Sequence, residues 1–217
     1  MAIMGRWNMI EVVMDMAGGV GVDTLDEYNN CLLHYLALFD RADIITQLLK
    51  TTGNILQRNV LGDDPMHVCV YSDGLSSLQS ILSKYGREES HEEIILTRRT
   101  GEGLTIVHTS IVHGAIEIFK YCLKVIAKIE NIDAISGRTV LQWVIDEGSV
   151  EMLEILMSRR GKGGDKDNPL FYAVKNKRPH MLRVLLKYFD KDYALGRNRQ
   201  GQSLLDVALQ RSEERRV

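Results

Sequence analysis

The stretch GDDPMHVCV at residues 62–70 decides how this sequence folds. It joins a turn-forming glycine, Gly62, to Asp64 and Pro65, and an apolar run with His67 follows. Aspartate before a helix can accept a hydrogen bond from an otherwise unpaired backbone amide, and proline is tolerated at the first helical position. The stretch therefore predicts a tight turn followed directly by a short helix.

The same pattern returns five times along the chain. Without internal gaps, residues 62–70 superpose on NNCLLHYLA (29–37), GLTIVHTSI (103–111), GRTVLQWVI (137–145), KDNPLFYAV (166–174) and GQSLLDVAL (201–209). Successive copies are separated by 33, 41, 34, 29 and 35 residues. A recurring period near 33 residues indicates an internal structural repeat.

An amphipathic segment follows most copies of the pattern. Apolar residues recur at three- and four-residue spacing in DIITQLLK (43–50), SLQSILSKY (77–85), AIEIFKYCLKVI (115–126), EMLEILMS (151–158) and HMLRVLLKYF (180–189). This spacing predicts a second helix in each unit. A two-helix unit of this size cannot bury its apolar face alone, so neighbouring units are expected to stack.

The copies resemble the G-x-T-P-L-H-x-A motif of ankyrin repeats. The motif is best preserved in Gly62, Asp64, Pro65 and His67, and in Gly103, Thr105 and His108; Gly137 with Thr139 and Gly201 with Ser203 also keep it. The resemblance implies an all-α ankyrin-repeat solenoid filling residues 1–217. Its expected parts are an N-terminal cap (1–28), with a helix from Trp7 to Ala17, and repeats at 29–61, 62–102, 103–136, 137–165, 166–200 and 201–217.

The histidines of the pattern favour a structural role over a chemical one. His34, His67 and His108 occupy the same place in their repeats, so we expect each to form a hydrogen bond that ties adjacent turns together. A zinc site would need further ligands at suitable spacing, and none lies nearby. We therefore expect no catalytic residue, metal or cofactor, although an enzyme or metal protein stays open as an alternative.

The interval of 41 residues is the main irregularity. Its surplus lies in KYGREESHEEIILTRRTGEG (84–103). The residues alone favour a tolerated surface loop, because long loops cost little closure entropy. A dedicated binding element is the alternative, and the apolar run at residues 94–96 could dock onto the repeat.

A second resemblance rests on the order of elements around this irregularity. The order of three elements resembles the middle of the inhibitor-of-NF-κB (I-kappa-B) family: the lengthened repeat, then Ile111-Val112-His113-Gly114, then Ser136-Gly137-Arg138-Thr139-Val140-Leu141. Six repeats would also match this family. A paired-serine phosphodegron and an acidic PEST-like tail are missing. A protein trimmed to its repeats, a nuclear-type member or a viral mimic would each fit these departures.

This resemblance implies a function in innate immune signalling. The protein would bind a Rel-homology transcription-factor dimer and inhibit or modulate its nuclear entry and DNA binding. A generic ankyrin adaptor for another partner is the alternative. By the same resemblance, Asp23, Asp26 and Glu27, with Asp40 and Asp43 nearby, would face the basic localisation segment of the partner.

Further candidate contact residues follow from the repeat architecture. Arg58, Arg138, Arg197 and Arg199 lie where turns project in ankyrin repeats, and arginine is favoured at interfaces. Trp143 is either packed between repeats or an exposed aromatic anchor for a partner.

Composition excludes several other classes of protein. The chain has 45% hydrophobic and 26% charged residues and a formal net charge of −2, which gives no reason to expect nucleic acid or an anionic membrane as a partner. Three scattered cysteines predict a reducing cytoplasmic or nuclear location. We expect the unbound protein to be monomeric.

Overall fold

Pairs of short helices recur through the described chain. The structure, a computed structural model, describes residues 23–50, 55–85, 91–127, 137–160 and 168–213. Its helices are α1 (Leu32–Leu38), α2 (Ala42–Leu48), α3 (Pro65–Tyr71), α4 (Leu75–Tyr85), α5 (His91–Thr97), α6 (Ile106–His113), α7 (Ile116–Val125), α8 (Val140–Glu147), α9 (Val150–Arg160), α10 (Pro169–Lys175), α11 (Pro179–Leu185), α12 (Lys191–Leu195) and α13 (Leu204–Glu213). The predicted all-α architecture is confirmed; within these ranges Arg99 and Thr105 form an isolated bridge, and no strand is present. The predicted N-terminal capping helix lies outside the described residues.

The helices belong to two compact units, the first ending at Val125 and the second beginning at Ile126. In the first unit the inner helices α1, α3 and α6 stack in chain order, and the outer helix α2 packs on α4. In the second unit α8, α10 and α13 stack, and α9 packs on α11. Each inner helix from α1 to α10 also packs on the outer helix of its own repeat. The core of each unit lies between these inner and outer layers.

The starts of the inner helices follow the capping pattern of the sequence. Asp64 precedes α3, and its carboxylate accepts hydrogen bonds from the backbone amides of Met66 and His67. Thr139 and Gln142 cap α8 reciprocally, and Asn168 accepts from the amide of Leu170, the second residue of α10. Positive φ angles occur at the glycine that opens four of these motifs: Gly62, Gly103, Gly137 and Gly201.

The ends of two inner helices are tied to the following repeat. Asp40 and Asp73 each have a positive φ and come just after α1 and α3. The Asp40 carboxylate accepts a hydrogen bond of 2.8 Å from the amide of Ser77. The Asp73 carboxylate accepts two of 2.9 Å from Glu117 and Ile118. Each aspartate therefore caps the outer helix of the next repeat, a role that its sequence position did not reveal.

The surplus of the lengthened repeat forms helix α5. Ile94 and Ile95 on this helix are fully buried, and α5 packs against α6 and α7. His91 Nδ1 lies 3.0 Å from the Tyr121 hydroxyl oxygen on α7. The surface-loop prediction is therefore wrong for residues 91–97, because two isoleucines gain a buried site by docking. The alternative expectation that the apolar run docks onto the repeat is confirmed.

No helix among the described residues is long and apolar enough to cross a membrane.

Candidate protein-interaction surface

The turns before the inner helices lie side by side in the first unit. The Val60 amide donates a hydrogen bond of 2.9 Å to the carbonyl of Tyr28. The Asn59 side-chain amide donates to the side-chain carbonyl of Asn30 at 3.2 Å. These contacts hold the turn of the first repeat against that of the second. Side chains from the two turns therefore share one surface.

Large apolar and aromatic side chains are exposed along this surface. We call it the turn face and define it by Tyr28, Val60 and Leu61 on the turns and by Tyr35, Phe39 and Tyr71 on or just after the inner helices. Their exposed fractions range from 38% to 65%. Tyr35 and Phe39 are one helical turn apart and so point the same way. Aromatic residues that are exposed together are characteristic of protein-binding surfaces.

Hydrogen bonds and a ring contact fix two of the four aromatic side chains of the turn face. The Tyr35 hydroxyl donates to the carboxylate of Asp26, and the Tyr71 hydroxyl donates to the carboxylate of Asp63. Tyr71 also meets His113 edge-on, with ring centroids 4.6 Å apart. Burial and the hydrogen bond to Asp63 raise the pKa of the Tyr71 phenol. These rings are held in place before any partner arrives, which lowers the entropy cost of binding.

The three acidic residues predicted to face a basic segment differ in availability. Asp23 and Glu27 are exposed. Asp26 instead organises its own turn, because its carboxylate accepts from the amides of Tyr28 and Asn30 at 2.9 and 2.7 Å. The hydrogen bond from the Tyr35 hydroxyl is the main cause that lowers the pKa of Asp26. Asp23 and Glu27 are thus better placed than Asp26 to meet a partner.

The predicted turn arginines also differ in the contacts that their side chains make. Arg58 and Arg199 are exposed. Arg197 is exposed too, but its guanidinium donates a 2.6 Å hydrogen bond to the carbonyl of Gly201 at the end of its own turn. Arg99 makes the equivalent bond of 3.0 Å to Gly103. Arg197 and Arg99 each lie four residues before the glycine of their motif. Aligning the repeats could therefore have added Arg99 to the predicted turn arginines, which did not include it.

Trp143 lies in a small polar cluster of the second unit. The Arg138 guanidinium carbon is 5.4 Å from the centroid of the indole. Arg138 also pairs with Asp146 at 3.1 Å, and the Tyr172 hydroxyl donates to the same carboxylate at 2.5 Å. One edge of the ring is buried and the residue is half-exposed. Trp143 is therefore partly covered by the chain itself rather than presented as a bare anchor.

The motif histidines do not all play the role expected of them. His34 accepts at Nδ1 from the Cys31 amide, and its Nε2–H donates to the carbonyl of Asp63 in the next repeat at 3.2 Å. His67 is fully buried and pairs through Nδ1 with Asp64 at 3.0 Å, while its Nε2 finds no hydrogen-bond partner among the described residues. The expected tie between turns is therefore present at His34 and absent at His67.

The motif residue Thr105 contacts its own histidine rather than capping a backbone amide. Its hydroxyl oxygen lies 2.7 Å from Nδ1 of the buried His108. Ser203 accepts from the amide of Asp206, whose carboxylate accepts from the Ser203 amide in return. Within the described ranges, no group of three or more histidine, cysteine or acidic side chains is arranged to hold a metal ion.

Comparisons with known proteins gave one sequence relative and several similar structures, whereas no protein-family model matches the chain. The chain is 21% identical over 150 residues to the nuclear factor NF-kappa-B p105 subunit of Gallus gallus, which covers 69% of this chain and 15% of that protein. The chain therefore spans about one seventh of the length of this relative.

Two solved structures share the architecture. The ankyrin repeat domain of human ASB11 superposes with a TM-score of 0.66 at 18% identity, covering 94% of this chain and 88% of that one. The ankyrin repeat domain of Bcl-3, described as a unique member of the IkappaB protein family, superposes with a TM-score of 0.66 at 18% identity, covering 93% and 86%. The chain therefore has the ankyrin-repeat fold.

Proposed function

We propose that this chain is a protein-interaction module of the I-kappa-B type that binds a Rel-homology transcription-factor dimer through the turn face. It acts by covering surface that the dimer needs for nuclear entry or DNA binding. The observation that carries the proposal is the exposed aromatic surface of the first unit, in which hydrogen bonds hold Tyr35 and Tyr71 in place. No catalytic chemistry is needed for such a role.

The comparisons support the choice of partner. One similar structure is a member of the IkappaB protein family, and the sequence relative is a subunit of NF-kappa-B. The lengthened second repeat followed by the His113-Gly114 and Gly137-Arg138-Thr139 elements supports the same assignment from the sequence.

The chemistry of the turn face is suited to an extended segment with apolar and basic residues. Tyr28 and Phe39 can each cover an apolar side chain of the partner, and aromatic contacts of this kind often dominate binding energy. Asp23 and Glu27 lie in the same turn region and are exposed. Charges at such a rim accelerate the encounter with a basic partner more than they strengthen the final complex.

Calorimetry with a purified Rel-homology dimer tests the proposal. The unaltered chain should bind with a Kd at or below about 1 μM. Phe39→Ala should weaken binding by about thirtyfold, as expected for an aromatic hot spot. The matched control is Leu186→Ala, which removes an equally exposed apolar side chain from the second unit and should leave the affinity unchanged.

Binding kinetics separate the role of the acidic residues Asp23 and Glu27 from that of the aromatic residue Phe39. Replacing Asp23 and Glu27 by Asn and Gln should lower the association rate several-fold and reduce its dependence on salt. Phe39→Ala should act on the dissociation rate instead. If the dimer does not bind at micromolar concentration, the proposal is wrong.

A generic ankyrin adaptor is the second candidate. The ASB11 domain and Bcl-3 superpose on this chain with the same TM-score. Structural similarity alone therefore supports a generic adaptor as strongly as it supports a Rel-binding module. Affinity purification from cells decides between them. Recovery of Rel-homology chains that is lost with Phe39→Ala supports the first candidate, and recovery of unrelated chains alone supports the second.

A further inference from the structure

The turn between α10 and α11, together with the exposed side of α11, carries a dense group of cationic side chains. From Asn168 to Phe189 the sequence contains no Asp or Glu. The same span contains five Lys or Arg residues, and every one of them is exposed. We call this surface the basic patch and define it by Lys175, Lys177, Arg178, Arg183 and Lys187.

Backbone hydrogen bonds hold the first part of the basic patch in a tight turn. The amide of Lys177 donates to the carbonyl of Val174 at 3.1 Å, and the amide of Arg178 donates to the carbonyl of Ala173 at 2.9 Å. This turn leads directly into α11. The cations of the turn are therefore presented by a fixed backbone next to those of the helix.

Arg183 and Lys187 share one side of α11 and of the turn that continues it. They are four residues apart, and the amide of Lys187 donates to the carbonyl of Val184 at 3.0 Å, which keeps the chain wound. Lys187 pairs with Glu154 on α9 at 3.8 Å, and both side chains are exposed. The other four cations of the patch form no ion pair within the described ranges.

Lys177 has a backbone conformation that does not suit lysine. Its φ of 56° lies in the left-handed region, which favours Gly, Asn and Asp. The equivalent positions of the four preceding repeats are Asp40, Asp73, Gly114 and Gly148. The two aspartates accept amide hydrogen bonds from the next repeat, whereas an ammonium group can only donate. Lys177 therefore cannot perform this internal task.

The start of α11 also departs from that of other outer helices. Helices α2, α7 and α9 have Asp43, Glu117 and Glu151 in their first turns, where the helix dipole favours negative charge. Helix α11 has no acidic residue there, and Arg178 directly precedes it. The strained lysine and the cation at this helix start each lower stability. Local departures from folding rules of this kind are expected at functional positions.

We propose that the basic patch docks an acidic segment of a protein partner, in which carboxylates flank an apolar side chain. Arginine can hold a carboxylate through two parallel hydrogen bonds, and lysine adds further point charges. Leu186 is 44% exposed and lies three residues after Arg183, so it can contact the apolar side chain. This inference does not depend on the proposed function, and the basic patch shares no residue with the turn face.

Two observations favour a protein segment over nucleic acid at the basic patch. Phosphate groups offer no apolar contact to the exposed Leu186. The whole chain has a formal net charge of −2, which repels a long polyanion. A short acidic segment instead responds to the charges within a Debye length of about 8 Å, and these are the cations of the patch.

Fluorescence anisotropy with the full chain tests the inference. The probe is a short fluorescein-labelled synthetic peptide in which one leucine is flanked on both sides by glutamates and aspartates. It should bind at low ionic strength with a Kd of about 10–100 μM, and physiological salt should weaken binding by about fivefold. The same peptide with lysine in place of every acidic residue should not bind.

Variants of the chain locate the binding surface. Lys177→Asn should weaken binding about threefold while the urea midpoint of unfolding stays the same or rises, because asparagine tolerates the left-handed conformation better than lysine. Lys175→Gln combined with Arg183→Gln should weaken it about tenfold, and Leu186→Ala about threefold. The matched control is Lys124→Gln, at an exposed lysine of the first unit, which should leave the affinity unchanged.

Three outcomes would overturn the inference. The first is a peptide that fails to bind at about 1 mM and low ionic strength. The second is binding that neither Lys177→Asn nor the change of Lys175 and Arg183 weakens. The third is a DNA duplex of about 20 base pairs that binds more tightly than the peptide and loses this binding with the change of Lys175 and Arg183. That result would assign the basic patch to nucleic acid.

Discussion

Gly62 and Gly101 bring the turns of the second and third repeats into backbone contact. A Cβ atom added to Gly62 would lie 2.5 Å from Gly101 Cα, closer than real Cβ atoms ever approach another atom. The backbones of the two turns are thus in direct contact, although 41 residues separate their motifs. The surplus of the second repeat forms α5, which packs against α6 and α7, and the turns of the second and third repeats stay in contact.

Gly62→Ala should destabilise the protein more than the same change at an open position. Gly62 and Gly201 have φ angles of 78° and 75°, but a Cβ at Gly201 would meet nothing within 4 Å. We expect Gly201→Ala to cost about 1 kcal/mol from backbone strain alone, and Gly62→Ala to cost about 3 kcal/mol because the turns must also separate. Urea unfolding measures both. Equal costs would show that the contact between the turns is not tight.

Ile95→Ala should reveal whether α5 is part of the core. Removing a fully buried isoleucine leaves a cavity and should cost about 2–5 kcal/mol in the free energy of unfolding. Thr97→Ala, at an exposed position on the same helix, should change it by less than about 0.5 kcal/mol. A small effect at both positions in thermal or urea unfolding would mean that the segment is a surface loop after all.

Acid should weaken the fold partly through His108. Burial lowers the pKa of this histidine from 6.5 to about 4, and the charge of Arg99 acts in the same direction. As pH falls, the unfolded chain therefore takes up a proton before the folded chain does. The contribution of neutral His108 to the free energy of unfolding is fully present above pH 6.5. It is lost between pH 6.5 and about 4, and the loss amounts to up to about 3 kcal/mol.

His108→Gln isolates this effect, since Gln142 occupies the equivalent position of the fourth repeat. The variant should lose less stability than the unaltered chain between pH 7 and pH 4 in urea titrations. If the His108→Gln chain shows an unchanged pH dependence, the histidine does not titrate in this range.

Arg138→Ala should uncover the indole of Trp143 without unfolding the second unit. The ion pair between Arg138 and Asp146 is partly exposed, so its loss should cost less than about 1 kcal/mol. The emission of Trp143 should move to longer wavelength as water replaces the guanidinium, measured with Trp7 changed to phenylalanine. Arg199→Ala is the comparison variant. An unaltered emission maximum would indicate that Arg138 does not cover the ring in solution.

Much of the fold could be predicted because its signals are local. Asp64 and Asn168 precede helices and Pro65 begins one, and the preferences of these residues act over a few positions. Helices α4, α7 and α9 follow from the spacing of their apolar residues. The structural role of Asp26 is also local, and comparison with Asn59, which organises the next turn in the same way, would have revealed it.

The features that were missed depend on contacts between distant residues. The burial of Ile95 could not be separated from a short apolar run in a loop, because only the packing of α5 on α6 and α7 decides it. Arg197 and Trp143 were proposed as partner contacts, but neighbouring groups already engage them, and this depends on the folded geometry. Leu205 is 66% exposed, although the same motif position is buried in the five other copies, and the sequence pattern alone does not show this difference.

The aspartates that follow α1 and α3 have a consequence for how the first unit unfolds. Asp40 and Asp73 each end one repeat and cap the outer helix of the next. When one repeat opens, its neighbour loses a helix cap, so nearest-neighbour coupling is strengthened along the first unit. Gly148 and Lys177 hold the same place in the second unit, and neither offers a carboxylate. Hydrogen exchange should accordingly be more cooperative across the first two repeat boundaries, and repeats at the other end should open in smaller steps.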